Sequence, residues 1–127
     1  MEHRFDKHYT RDEARALLPQ IRQWLKQLNR LRKDLERFDK RLSGLAEQGN
    51  DIGGETVNKW IRALADMQEI LAEFQSRQIF LKDLERGLID FPAIIGGKEV
   101  FLCWEPEDED VEFWHDIESG YGGRERL

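Results

Sequence analysis

The chain has 127 residues, enough for one domain whose core hides roughly two thirds of the surface an unfolded chain exposes. Charged residues make up 36% and hydrophobic residues 39%, a balance that suits long solvated helices better than an all-β sandwich. The net charge of −6 argues against general nucleic-acid affinity, which needs a basic footprint, and a single cysteine, Cys103, excludes an internal disulfide and a multi-cysteine zinc site.

The opening Met1 to Lys7 holds no apolar run of the kind a signal peptide needs, and no stretch approaches the roughly 20 apolar residues that cross a bilayer. With a lone thiol that suits a reducing compartment, the expectation is a soluble cytoplasmic protein.

Thr10 and Glu13 read as a capping box. Beyond it, apolar residues follow a three-four rhythm: Ala14, Leu17, Ile21, Trp24, Leu28, Leu31, Leu35, Phe38, Leu42 and Leu45. That rhythm predicts one long helix with a coiled-coil-like seam. Pro19 lies off the seam, where it is expected to kink the helix rather than break it. The glycine-rich stretch 48–55 reads as a turn. A second helix is then expected, capped by Thr56, with Val57, Trp60, Leu64, Met67, Leu71 and Phe74 as its seam. A short loop makes the two helices antiparallel neighbours, and the register pairs Leu45 with Val57 through Leu28 with Phe74.

Residues 79–86 stay open between strand and helix end. Leu88 to Phe91 reads as a strand stopped by Pro92, Gly96-Gly97 as a turn, and Val100 to Trp104 and Val111 to His115 as the next strands. The acidic run Glu105 to Asp110 reads as a solvated turn drawn towards the basic residues of the first helix, Arg22 among them. The tail from Ser119 is expected to be irregular. The first helix, at roughly 50 Å, outruns the second, at roughly 30 Å. Its apolar stripe widens there with Leu18 and Leu25, so the sheet is expected to cover that end.

Several short motifs resemble those of a known family. They are Lys82-Asp83, Gly87 to Ala93, Leu102-Cys103-Trp104, Trp114-His115-Asp116 and Gly120 to Arg124, with Tyr9-Thr10, Glu13-Ala14 and Leu17-Leu18-Pro19 at the start. The set is similar to a family of small bacterial proteins carrying a domain of unknown function, and it covers nearly the whole chain. The resemblance implies no activity, substrate or cofactor. Ser76-Arg77 stands where relatives often carry a glycine.

The candidate chemistry lies in the last third. Cys103 and His115 are the nucleophile–base candidates, since a reactive thiolate needs a nearby base or positive charge. With an even loop they fall on opposite sheet faces; with one bulged residue they share a face with Val111 and Phe113, the better apolar alternation. The simpler alternative is a buried cysteine acting as a small hydrophobe. Lys82, Asp83, Asp90, Asp116 and Arg124 form a second set, with Asp90 and Arg124 as ligand-binding candidates. Arg124 follows two glycines and could clamp a carboxylate or phosphate; the alternative is a bridge to Asp90 or Asp83 that pins the tail. His3, His8 and His115 are far apart in sequence, so no metal site is expected, and no cofactor fingerprint is present.

The reading is an α+β fold: a long antiparallel helical hairpin, coiled-coil-like, packed at one end by a small antiparallel β-meander. It is one domain over 1–127, with the hairpin at 10–76 and the β-rich segment at 79–127. The expected function is a non-enzymatic interaction or self-association module, a homodimer through the hairpin with a possible further protein partner and no membrane. The alternative is a small enzyme or ligand-binding protein with its site on the β-segment.

Overall fold

The computed structural model describes residues 3–49 and 54–127. Helix α1 runs over Arg11–Glu47 and α2 over Glu55–Ser76. Strands β1 (Phe80–Asp83), β2 (Leu88–Ile95), β3 (Lys98–Trp104), β4 (Phe113–Asp116) and β5 (Glu125–Arg126) follow, with a single 3-10 turn, Tyr121–Gly123, before the last. The five strands form one antiparallel sheet in the order of the chain. The α+β hairpin-on-meander architecture is therefore what the periodicities of three to four and of two require.

Helix α1 begins on the expected capping box: Glu13 N–H donates to the Thr10 hydroxyl, and the Glu13 carboxylate accepts from Thr10 N–H. It runs unbroken through Pro19, whose exposed position leaves the buried stripe intact. The start of α2 differs from expectation. Its N-cap is Gly54, with no side-chain cap, and Thr56 lies inside the first turn. The end of α2 is a Schellman closure, with Gln78 in the left-handed region at φ 55°. Ile79 N–H donates to Phe74 C=O and Gln78 N–H to Gln75 C=O, and the C″ residue Ile79 is buried beside Phe74. Gln78 takes the conformation that glycine most easily supplies.

The seam of α2 is rotated from the expected one. Ala63 is buried and Met67, Ile70 and Phe74 pack into the core, with the Phe74 ring 5.2 Å from that of Trp24. Leu71, placed at the seam by the sequence rhythm, is instead 39% exposed. The reason is that α2 carries two apolar rows one residue apart. The row that includes small Ala63 lets α1 approach closely, and the large aliphatics of the other row are left at its flank.

The widened stripe of α1 lies against the sheet, as its length and width demand. Leu18, Ile21, Leu25 and Leu28 join Ile89, Phe91, Leu102, Trp104 and Val111 in one cluster. The strands differ from the sequence reading in extent. Residues 80–83 are a strand, and β2 continues through Pro92 to Ile95. Proline is tolerated there because β1 pairs no further than Asp90, so no partner needs an N–H at position 92. The Pro92 carbonyl on that open edge accepts from Tyr9 N–H at 2.7 Å. The tail is not irregular either: β5 pairs with β4, Phe113 against Arg126 and Trp114 against Glu125.

Gly87, at φ 69°, closes the β1–β2 turn under the acidic loop. A Cβ there would lie 2.8 Å from Pro106 Cγ and 3.1 Å from Leu25 Cδ1. Gly87→Ala is expected to destabilise by about 2–4 kcal/mol, combining left-handed strain with a clash. Gly97→Ala, at φ 80° in open space, should cost about 1–2 kcal/mol. Urea denaturation of the two variants measures the difference.

Candidate functional site

The register of β3 against β4 decides what can meet. Cys103 pairs with Phe113 and Phe101 with His115, so all four side chains share one sheet face, as the bulged alternative requires, but Val111, which that alternative placed with them, packs in the helix-facing core. Asp90 pairs with Cys103 across β2–β3 and joins the same face. That face is turned away from α1, since the alternate residues Ile89, Phe91, Leu102 and Trp104 fill the helix-facing core.

Asp90 and His115 sit on strands separated by β3, and their side chains meet over it. His115 Nε2 lies 3.0 Å from Asp90 Oδ1, and its Nδ1 lies 2.7 Å from the Asp116 carbonyl oxygen. A carbonyl only accepts, so Nδ1 carries a hydrogen, and the Nε2–Oδ1 contact holds one further proton between base and carboxyl. The donor atoms of Asp90, Cys103 and His115 all lie within 4.8 Å of one another. All three residues are buried, at 3%, 1% and 2% exposure. Burial pushes the Asp90 carboxyl above the usual carboxylate range, against the opposing pull of His115 and Lys82. Burial, with the Asp90 charge adding to it, pushes the Cys103 thiol up to about 12, although Arg124 opposes the shift. A thiol so placed is protonated at neutral pH and is a poor nucleophile.

Two ends of the chain cover this face. The segment before α1 lays Phe5 against Phe80 and Phe101, at ring distances of 5.2 and 5.3 Å. It is held by Glu99, whose carboxylate accepts from Arg4 and Phe5 N–H and contacts His8 Nε2 at 2.7 Å. These bonds hold the Glu99 carboxyl below its ordinary range although burial opposes them. At the other end the Arg124 guanidinium stacks 3.8 Å over the Phe113 ring.

Arg124 is indeed bridged, but to neither expected partner. It donates to Asp108 Oδ2 at 2.9 Å and lies 3.9 Å from Glu105 Oε1. Asp83 instead accepts from Arg86 N–H in the β1–β2 turn, and Asp116 pairs with Lys98 at 2.8 Å. The acidic run is therefore not simply a solvated turn, since Glu105 and Asp108 are buried. Glu105 also takes Arg86 at 2.9 Å and the Tyr121 hydroxyl at 3.1 Å, and the Asp108 carbonyl accepts from Trp104 Nε1. The expected attraction to α1 is present: Arg22 donates to the Pro106 and Asp108 carbonyls, and Arg15 forks onto Asp110 with two bonds of 2.8 Å. Sequence reasoning missed the roles of Glu105, Asp108 and Tyr121. Their spacing carries no motif, and only the fold of the loop turns them inward. It also kept the histidines apart, whereas His3 and His8 converge on Glu99.

The structure defines a helical hairpin mounted on a meander, whose outer sheet face encloses a buried Asp–Cys–His set. The chain belongs to the DUF2203 family of uncharacterised conserved proteins, whose model matches residues 7–127. No curated protein and no solved structure matches it. No described helix is long and apolar enough to cross a membrane.

Arg124→Ala leaves the buried Asp108 carboxylate without its cation and Glu105 with Arg86 alone, and is expected to cost about 1–3 kcal/mol, with the tail from Tyr121 losing hydrogen-exchange protection. Cys103 in the folded protein should react with a thiol reagent at neutral pH far more slowly than the same residue in denaturant. Equal rates in the two states would show that the sheet does not shield it.

Proposed function

We propose that this protein is an interaction module whose helical arm joins a second copy of the chain. One observation carries the reading: the unused apolar row of α2. Val57, Ile61, Leu64, Gln68, Leu71 and Gln75 follow one another at alternating steps of four and three without a charge. Ile61 is 53% exposed and Leu71 39%, while Val57 and Leu64 are only half-buried by α1. A heptad row that its own hairpin leaves wet is suited to a second helix. Distal to Leu31, the seam residues Leu35, Phe38, Leu42 and Leu45 are also incompletely buried.

The row is self-complementary about a two-fold near Asp66. An antiparallel copy sets Ile61 against the partner's Leu71 and Leu64 against the partner's Gln68. The tip of one arm then reaches the base of the other. There a groove of ≈ 440 Å³, lined by Phe5, Leu71, Gln75, Gln78 and Phe80, continues the apolar row. Four helices in such a bundle cover both rows of α2. Removing the remaining exposure of each Ile61 and Leu71 contributes on the order of 1 kcal/mol per side chain, and burial of Val57, Leu64 and the distal seam residues adds to it. An enzyme using Cys103 as nucleophile is disfavoured by the burial of the thiol and its raised pKa.

Size exclusion with light scattering should return a dimer mass at tens of micromolar, and Ile61→Glu with Leu71→Glu should return a folded monomer. A wild-type monomer at that concentration ends the proposal. A dimer indifferent to the Ile61→Glu, Leu71→Glu double variant ends the α2 interface.

A further inference from the structure

We infer that Asp90, Cys103 and His115 form a binding site for a divalent transition metal of the zinc class on the outer face of the sheet. The donors are a carboxylate, a thiol sulfur and an imidazole nitrogen, the three ligand types that zinc and cobalt take together. They come from adjacent strands β2, β3 and β4, and their donor atoms all lie within 4.8 Å of one another. Rigid neighbouring strands hold such a set more closely than loops do.

The orientation of His115 is the second, independent observation. Its Nδ1 is fixed to the Asp116 carbonyl at 2.7 Å, which turns the Nε2 atom towards Asp90 and Cys103. Metal-binding histidines are oriented in this way, with the far nitrogen on a carbonyl or carboxylate and the near one on the ion. Charge gives a third argument. Asp90 is buried between Phe80 and Cys103 of the neighbouring strands, where a carboxylate is costly unless cations face it, as His115 and Lys82 do in part. On displacing the thiol proton and the proton held between Asp90 and His115, a divalent ion balances one carboxylate and one thiolate. Three protein ligands leave a further position for water or a small ligand, and the parts of the chain that lie over it are the Phe5 strap and the Arg124 tail. The inference does not depend on how the arm associates.

The probe is Co²⁺, added to the full-length reduced protein during refolding from urea so that burial does not limit access. One equivalent should give a thiolate-to-cobalt charge-transfer band, and Zn²⁺ should displace it. Cys103→Ser should abolish the band, and His115→Gln should weaken metal binding at least about 10-fold. His8→Ala removes the imidazole nearest Glu99 in the partly exposed His3–His8–Glu99 cluster and should leave the band unchanged. The inference is overturned if wild-type protein shows no thiolate band, a measurement that needs no variant to fold. It is equally overturned if metal binding survives Cys103→Ser unaltered and is lost in His8→Ala, which would place the ion at the His3–His8–Glu99 cluster.

Discussion

Burial of the N-terminal half of α1 against one face of a five-stranded sheet is the constraint from which the other features follow. Ala14 and Ile21 are completely excluded from solvent, and Leu18, Leu25 and Leu28 continue the contact along the helix. Because α1 is 37 residues long and α2 only 22, this half of α1 reaches past the hairpin and needs a partner broader than a helix. Once Ile89, Phe91, Leu102 and Trp104 are committed to that contact, the alternation of each strand sends Asp90, Phe101, Cys103 and His115 to the opposite face. The polar cluster is thus a consequence of how the helix is covered.

An outer sheet face with buried titratable groups needs a cover of its own, and among the described residues no third layer of secondary structure provides one. The chain uses its two ends. Glu99 gathers the backbone N–H groups of Arg4 and Phe5, while Arg124 is anchored in the Glu105–Asp108 loop and stacked on Phe113. That loop is itself tied to α1 through Arg22 and Arg15. The helix, the acidic loop and the tail therefore form one polar chain of contacts around the sheet. A change in the loop would be felt at the tail before it reached Asp90.

The arm shows the opposite situation. Beyond Arg32, which still reaches Glu85 of the β1–β2 turn, the described part of the hairpin is two helices that share a single seam. Ala63 in that seam draws the helices together and leaves Ile61 and Leu71 outside. The arm and the sheet thus present different chemistry: an uncharged apolar row at one end, and a closed set of metal-type ligands at the other.

Sequence alone determined the hairpin, the capping box at Thr10, the covering of the widened α1 stripe and the meander, because each rests on a local period or a local cap. It left the register of β3 and β4 as two alternatives, since one inserted residue in the loop exchanges the faces, and apolar alternation only favoured the arrangement found. It misplaced the seam of α2, because two apolar rows one residue apart have the same rhythm and only close packing on α1 selects between them. It ended β2 at Pro92 because a missing N–H is harmful only where a partner strand needs it, and the short reach of β1 is a tertiary fact. The meeting of Asp90, Cys103 and His115, and of Arg124 with Asp108, was decided by tertiary structure alone. Those side chains come from positions with no common spacing, and strand pairing and loop closure bring them together.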